Sequence, residues 1–275
     1  MTDPTPLVDR AALSRNRARA VRQGLDAFLL GRVADEIEER LAEVNRTFTS
    51  EAVVTGFPDW WAARRPAARI VADDERLALE EGAHDLVVHA LALHWANDPV
   101  GQLVQCLRAL VPDGLFLCAT LGGRTLSELR TALAEAEVRL TGGLSPRVLP
   151  MGGIRDLGGL LQRAGFALPV ADASPVEAGY ASLSALVRDL RATGEGNALA
   201  QRASRTPRAL FALAGATCAE AFPAPGGRIR ATFDVIYLTG WAPAPGQQRP
   251  LRPGSAAMRL ADALGQPRPG GDGAP

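Results

Sequence analysis

Polar side chains follow two apolar runs of the sequence, at the points where a parallel sheet would hold its reacting groups. The segment His94–Asp98 follows the run 86–91, and paired glycines follow the run 115–121. Ligands of such sheets lie beyond the carboxyl ends of the strands. Imidazole, indole, amide and carboxylate groups there are suited to proton transfer or ligand binding. His94, Trp95, Asn97 and Asp98 are therefore the catalytic candidates, and His94 is also a candidate ligand contact.

The residues between these two runs predict the element that would position the polar side chains. Apolar residues at 103, 104, 107, 110 and 111 recur at helical spacing. Pro112-Asp-Gly114 then predicts a turn, because proline cannot continue the helix. Strand, polar turn, helix, turn and strand form one βαβ unit, and we expect its two strands to be parallel neighbours.

The three histidines invite a metal site, but their spacing argues against one. His84, His89 and His94 are five residues apart, so along a strand neighbouring histidines point to opposite faces. A zinc ion needs its ligands within one coordination sphere. We predict no metal site.

Composition excludes several classes of function. The 275 residues carry 30 basic and 30 acidic side chains, and this zero net charge argues against a nucleic-acid partner. Every basic residue is arginine, so a phosphate-binding loop that ends in lysine and a Schiff-base lysine are both excluded. Three separated cysteines predict buried thiols in a reducing compartment. Without a signal-type segment or an apolar run of membrane-spanning length, we expect a cytoplasmic chain.

The rest of the chain alternates helical and extended patterns. Residues 9–46 predict a helical region whose polar face mixes both charges, and we interpret that face as solvated. Thr125-Leu-Ser-Glu128 predicts a capping box at the start of a helix. The further predictions are strands at 51–57, 68–73 and 229–241, helices at 182–193 and 206–222, and a mostly disordered, proline- and glycine-rich tail at 242–275.

Four segments together resemble a known family, over roughly residues 8–265. The resemblance is to class I S-adenosylmethionine-dependent methyltransferases. More narrowly, it is to bacterial relatives of mitochondrial complex I assembly factor 5, an arginine hydroxylase, and to their neighbours, the biotin-pathway malonyl carrier-protein methyltransferases. The segments are Leu93-His-Trp-Ala-Asn-Asp-Pro99, Pro112-Asp-Gly-Leu-Phe116, Leu121-Gly-Gly-Arg-Thr-Leu-Ser-Glu-Leu-Arg130 and Ile236-Tyr-Leu-Thr-Gly-Trp241.

The resemblance implies an α/β fold, a Rossmann-like sheet with helices on both faces, shortened by one α-β step near strand one. It implies a helical arm at 1–46, a methyltransferase-like domain at 47–241 with a helical lid at about 182–222, and the tail at 242–275. The helices at 182–222 are equally compatible with a plain cover for the core.

The resemblance also implies S-adenosylmethionine as cofactor, with Gly56, Asp73, Asp74 and His94 as its contacts. Asp73 falls on the adenine side of the family pattern, because the ribose-binding acid lies in the missing step. The glycine-rich turn departs from the pattern, since Pro58 has no N–H to donate. The bulk of Trp60 falls on the approach of the ligand. With Trp61, it predicts either a plug or an exposed partner surface.

Two functions therefore remain open from the sequence. One is an S-adenosylmethionine-dependent methyltransferase-like protein that modifies a protein arginine in respiratory complex I assembly. The other is an inactive pseudoenzyme of the same fold that binds a protein partner. Both predict a protein substrate or a complex I subunit as the partner, and neither involves nucleic acid or a transmembrane segment.

Overall fold

The computed structural model describes residues 6–203 and 205–247. From residue 51 onward the chain mixes strands and helices, as the apolar patterns predict. The helices are α1 Arg10–Arg22, α2 Phe28–Glu43, α3 Pro58–Arg64, α4 Pro99–Ala109, α5 Ser127–Thr141, α6 Ile154–Ala164, α7 Leu183–Ala192 and α8 Arg208–Ala221. The strands are β1 Glu51–Thr55, β2 Arg69–Ala72, β3 His84–Ala90, β4 Leu110–Leu121, β5 Ala167–Tyr180, β6 Pro223–Ala224 and β7 Arg228–Trp241.

One sheet of seven strands organises the described chain. Its order is β2-β1-β3-β4-β7-β5, and β6 pairs with β7 at one end. The first four strands run parallel, whereas β7 is antiparallel to both β4 and β5. The carboxyl ends of β1, β2, β3 and β4 therefore meet at one edge of the sheet, where ligands of such sheets bind.

Helices cover both faces of this sheet, because the parallel strands alternate side chains between two apolar layers. Val53 and Val88 face a layer that contains buried residues of α2, α5, α7 and α8. Ala52 and Val87 face the opposite layer, formed with α4 and α6. The predicted α/β fold with helices on both faces is confirmed.

The βαβ unit predicted from residues 86–121 is present, with β3, α4 and β4 in the expected order. Asp98 is the N-cap of α4 and accepts the Gly101 N–H at 2.8 Å, and Pro99 begins the helix. Proline fits this first position because its missing N–H has no helical partner there. Local sequence therefore accounts for this unit.

Two local expectations are corrected. The capping box at Thr125 is wrong, because the Thr125 hydroxyl accepts the Asp234 N–H at 3.0 Å, and α5 begins at Ser127 without a side-chain cap. The solvated polar face of residues 9–46 is wrong for Arg17, which is only 8% exposed.

The domain limits stay a prediction, although α1 and α2 fall within one compact unit, residues 1–244. The predicted tail lies outside the described residues from position 248 onward. Across the described ranges, no helix combines the length and the apolarity that crossing a membrane requires. The predicted buried thiols are confirmed, since all three cysteines are free and buried.

Candidate functional site

A cavity of about 760 Å³ lies at the carboxyl ends of β1 and β2, and we call it the first cavity. Gly56 and Asp73, two of the predicted cofactor contacts, both line it, because β1 and β2 are adjacent parallel strands. Helix α1 forms its other wall, with Arg10 and Arg17 in the lining. The site therefore combines the expected strand ends with a helix that the sequence did not predict there.

The guanidinium of Arg17 packs directly against Gly56. A Cβ built on Gly56 would lie 2.6 Å from Nε and from Nη1 of Arg17, closer than side-chain carbons approach such atoms. The guanidinium carbon also lies 5.8 Å from the centre of the Phe57 ring, a cation–π distance. The glycine that should let a ligand approach the backbone thus admits a side chain of the same protein.

Asp73 is buried, and two arginines of α1 take up its carboxylate. Arg17 donates to Oδ1 at 2.7 Å and Arg10 donates to Oδ2 at 3.3 Å, while Arg10 also donates to the Asp73 carbonyl. Burial alone would raise the pKa of Asp73, but the attraction and hydrogen bonds of Arg17 and Arg10 outweigh it and lower that pKa. The carboxylate therefore stays ionised, and its trio with the arginines carries a net positive charge.

Two positions of the turn after β1 offer no free backbone donor. The Phe57 N–H donates at 3.1 Å to the hydroxyl of Thr55, two residues earlier, and Pro58 has no N–H. Helix α3 has only 7 residues, so the field at its amino end is small. The turn thus lacks two of the backbone donors that a cofactor cradle would use.

A bound S-adenosylmethionine would compete with α1 for these residues. Its ribose would need the carboxylate oxygens that Arg17 and Arg10 already bind. Since β2 pairs directly with β1, Asp73 follows the strand next to strand one. That is the ribose-side position of the family pattern, rather than the adenine side that the sequence suggested.

Asp74, the fourth cofactor candidate, also lines the first cavity but is exposed. Its backbone carbonyl accepts the Gln102 side-chain amide at 3.0 Å, which ties the loop after β2 to α4. The carboxylate itself has no bond in the described residues.

His94 and Trp95 lie beyond β3, as predicted, but both contact an acid that the sequence did not single out. The Trp95 indole donates to Glu195 at 2.9 Å, and His94 Nε2 lies 3.2 Å from the same carboxylate oxygen. On its other side, His94 Nδ1 lies 3.4 Å from the Thr120 hydroxyl at the end of β4. The His94 side chain is 2% exposed, so this is a buried network at the strand ends.

The remaining two catalytic candidates hold backbone in place. Asn97 accepts the Val8 N–H at 2.9 Å and donates to the Val8 carbonyl at 3.2 Å, fastening the segment before α1. Asp98 caps α4. Their catalytic roles stay a prediction, and the geometry assigns each a structural contact.

The Trp60-Trp61 pair lies on α3 beside the first cavity. Trp61 is fully buried, whereas Trp60 is half-buried and lines the cavity. Their rings meet edge to face, with centres 5.3 Å apart. Both the plug and the partner surface therefore stay predictions for this pair.

The other histidines lie apart from the site. His89 is fully buried, which lowers its pKa to about 4, and its Nε2 lies 2.9 Å from the Gln102 side-chain oxygen. His84 contacts Ser50 at 3.4 Å on a different part of the sheet. Within the described ranges, no three histidine, cysteine or acidic side chains are placed to share a metal ion.

Arg10 and Arg17 were not predicted as site residues. One signal was available: Leu13, Arg17 and Ala20 are spaced by four and three residues, which places Arg17 on the buried stripe of α1. The partner, however, is 56 residues away in the chain. No local pattern indicates that pairing.

A larger cavity, of about 990 Å³, lies under α7 and α8, and we call it the second cavity. Leu121 at the end of β4 and Leu126, Leu129 and Leu133 near or on α5 line its apolar floor. Glu195, held by His94 and Trp95, lies on its wall. The helices of the predicted lid therefore enclose a cavity beside the strand ends.

Comparison with known proteins agrees with this fold. The family model described as "Methyltransferase domain" matches residues 29–118. The zebrafish (Danio rerio) protein named arginine-hydroxylase NDUFAF5, mitochondrial, is 34% identical over 230 residues, which are 84% of this chain and 71% of that protein. The chain spans 57% of the length of its mouse, rat and human counterparts.

A malonyl-[acyl-carrier protein] O-methyltransferase from Laribacter hongkongensis is 38% identical over 192 residues, 70% of this chain and 62% of that protein. A solved structure of Haemonchus contortus phosphoethanolamine N-methyltransferase 2, in complex with S-adenosyl-L-methionine, aligns with 76% of this chain and 53% of its own, at 12% identity and a TM-score of 0.42. By its identity to the zebrafish protein over most of both lengths, the chain belongs to the methyltransferase-like family of the mitochondrial arginine hydroxylase NDUFAF5.

Proposed function

We propose that this chain acts as a methyltransferase-fold assembly factor for respiratory complex I that binds a protein partner and does not turn over S-adenosylmethionine. One observation carries the proposal: Arg17 lies against Gly56 and on Asp73, where the family holds its cofactor. The resemblance to the complex I assembly factor suggests complex I assembly as the process in which the chain acts. We also propose that the chain is cytoplasmic.

The contacts of Arg17 favour a structural replacement over a loose side chain. Its guanidinium contacts Asp73, Gly56 and Phe57. The backbone of α1 at Arg17 packs against Gly194, which follows the carboxyl end of α7. Gly194, with φ +81°, lies so close that a Cβ there would be 2.9 Å from the Phe57 ring and 3.3 Å from Cγ of Arg17. A cofactor would have to displace a buried ion pair, and a buried charge that is left without its partner costs about 3–5 kcal/mol.

Calorimetric titration with S-adenosylmethionine and S-adenosylhomocysteine tests the proposal. We expect no saturable binding by the natural chain up to millimolar ligand, a free energy weaker than about −4 kcal/mol. Micromolar binding would contradict the proposal. Competent folding of each sample is checked by its cooperative thermal transition.

A second candidate function is cofactor-dependent modification of a protein arginine after α1 has moved. The buried His94–Glu195–Trp95 network beside an intact lid cavity favours it. Arg17→Ala removes the guanidinium and distinguishes the two functions. Saturable cofactor binding by Arg17→Ala, absent from the natural chain, would support a closed but competent site.

Arg19→Ala is the matched control for that variant. It removes an arginine from the same helix whose side chain is exposed and donates only to Asn16, at 2.7 Å. If neither variant binds the cofactor, the loss lies in the turn at Pro58 itself, as the assembly-factor proposal expects. If both bind, the effect does not come from the Arg17 contact.

A further inference from the structure

The mouth of the second cavity is rich in positive charge. Six arginines line this cavity within the described residues, against a single acidic side chain, Glu195. In a chain of zero net charge this is a strong local excess. The arginines are Arg147, Arg188, Arg191, Arg202, Arg205 and Arg208.

Two of these arginines are already neutralised, and four are not. Arg147 pairs with Glu137 at 2.7 Å, and Arg202 pairs with Asp9 at 3.0 Å. Arg188, Arg191, Arg205 and Arg208 are exposed and form no ion pair with any described residue. The free charge is therefore concentrated on α7 and at the start of α8, the two helices that border the cavity.

Glu195 does not offset this charge. Its carboxylate accepts the Trp95 indole and lies within hydrogen-bond distance of His94, so it serves the interior network. A guanidinium entering the cavity would meet four unpaired cations and one occupied acid. Like charges at such an entrance disfavour a cationic ligand.

The floor of the cavity requires an apolar group as well. Leu129, Leu133, Phe211 and Phe233 line it together with Leu121 and Leu126, so a ligand that fills it buries hydrocarbon. The planar guanidinium of arginine can donate two parallel hydrogen bonds to one carboxylate. The complementary ligand thus has an apolar body flanked by carboxylates.

We infer that the second cavity docks an acidic segment of a protein partner, with an apolar side chain on the floor and carboxylates on Arg188, Arg191, Arg205 and Arg208. This inference rests on the proposed protein-binding function and names the chemistry of the partner. Arg188 and Arg191, three residues apart on α7, share one helix face and can engage neighbouring acids of one segment. The segment that docks is acidic, so any arginine of the partner that the family modifies lies outside this contact.

Fluorescence anisotropy with a labelled synthetic peptide of alternating glutamate and leucine tests the inference without any cofactor. We expect saturable binding that weakens as salt rises, because exposed charges are screened. The double variant Arg188→Glu/Arg191→Glu should lower the affinity at least about tenfold, as expected when attractive charges become repulsive. A peptide with arginine in place of glutamate should not bind.

The matched control is Arg155→Glu/Arg163→Glu on α6, which makes the same change of charge on exposed arginines of the opposite helical layer. It should change the affinity less than about twofold. Equal weakening by both double variants would overturn the inference, because it would show attraction to net charge alone. Absence of saturable binding, or preference for the arginine peptide, would also overturn it.

Two further measurements in the same assay distinguish a protein segment from other kinds of ligand. Inorganic phosphate that displaces the peptide at matched ionic strength would show a site for small anions and overturn the inference. A peptide with serine in place of leucine should bind more weakly, since the apolar floor is then unfilled. Because no measurement in this assay contains S-adenosylmethionine, calorimetric binding of that cofactor would refute the proposed function and leave these results unaffected.

Discussion

The first and second cavities lie at the same edge of one sheet but differ in how their charge is satisfied. In the first cavity, Asp73 is buried and its two oxygens are bound by arginines of the same chain. In the second, four arginines at the mouth form no ion pair with any described residue. A carboxylate that is paired within its own chain has little to offer a ligand, whereas unpaired charge around an apolar floor can attract and orient a ligand of opposite charge.

The difference also separates stability from binding. Asp73 with Arg17 is an interior ion pair, so changes there act on folding. The arginines of α7 and α8 are in water and contribute little to folding. Variants of the ion pair in the first cavity should therefore lower stability, whereas variants of the arginines around the second cavity should change ligand binding.

The largest expected effect comes from breaking the interior pair. Asp73→Ala leaves Arg17 buried without its partner and should lower the free energy of unfolding by about 3–5 kcal/mol. Chemical denaturation measures it. Asp172→Ala is the control, because Asp172 pairs with Arg40 while 41% exposed and should cost about 0–1 kcal/mol. Equal losses would contradict the difference between buried and surface pairs.

Acid should weaken the same pair. The folded-state pKa of Asp73 lies below its unfolded value of about 3.9, so the carboxylate stabilises the fold above that pH. This stabilisation is lost as pH falls through the folded pKa, by at most about 1.4 kcal/mol per pH unit for one proton. Unfolding measured from neutral pH into acid should show the stability gap between the natural chain and Asp73→Asn narrowing. A gap independent of pH would refute this role of Asp73.

The smallest effect should arise on the wall of the second cavity. Glu195→Gln keeps an oxygen to accept the Trp95 indole but removes the negative charge from the lining. The affinity for the glutamate–leucine peptide should rise about two- to threefold, the scale of one partly screened charge. Glu220→Gln, an exposed position near the end of α8, should leave it unchanged. Unaltered affinity in Glu195→Gln would mean that the peptide does not contact that wall.

The site was predictable to the extent that it depends on strand ends. Gly56 and Asp73 do lie together, because each follows a strand that its apolar pattern indicates and the two strands are parallel neighbours. His94 and Trp95 also lie where the run before them predicts. The partners Arg17, on α1, and Glu195, in the segment after α7, were not predictable, since they lie 56 and 101 residues away in the sequence from Asp73 and His94.

By itself, the sequence determined the mixed order of strands and helices, the βαβ unit around Asp98 and Pro99, and the missing backbone N–H at Pro58. These features follow from side-chain periodicity, proline chemistry and capping, which act over a few residues. The tertiary structure alone decided that Arg17 fills the place beside Gly56, and that unpaired arginines gather over an apolar floor. Both depend on how α1, α7 and α8 pack on the sheet, and long arginine side chains reach partners that no local pattern can specify.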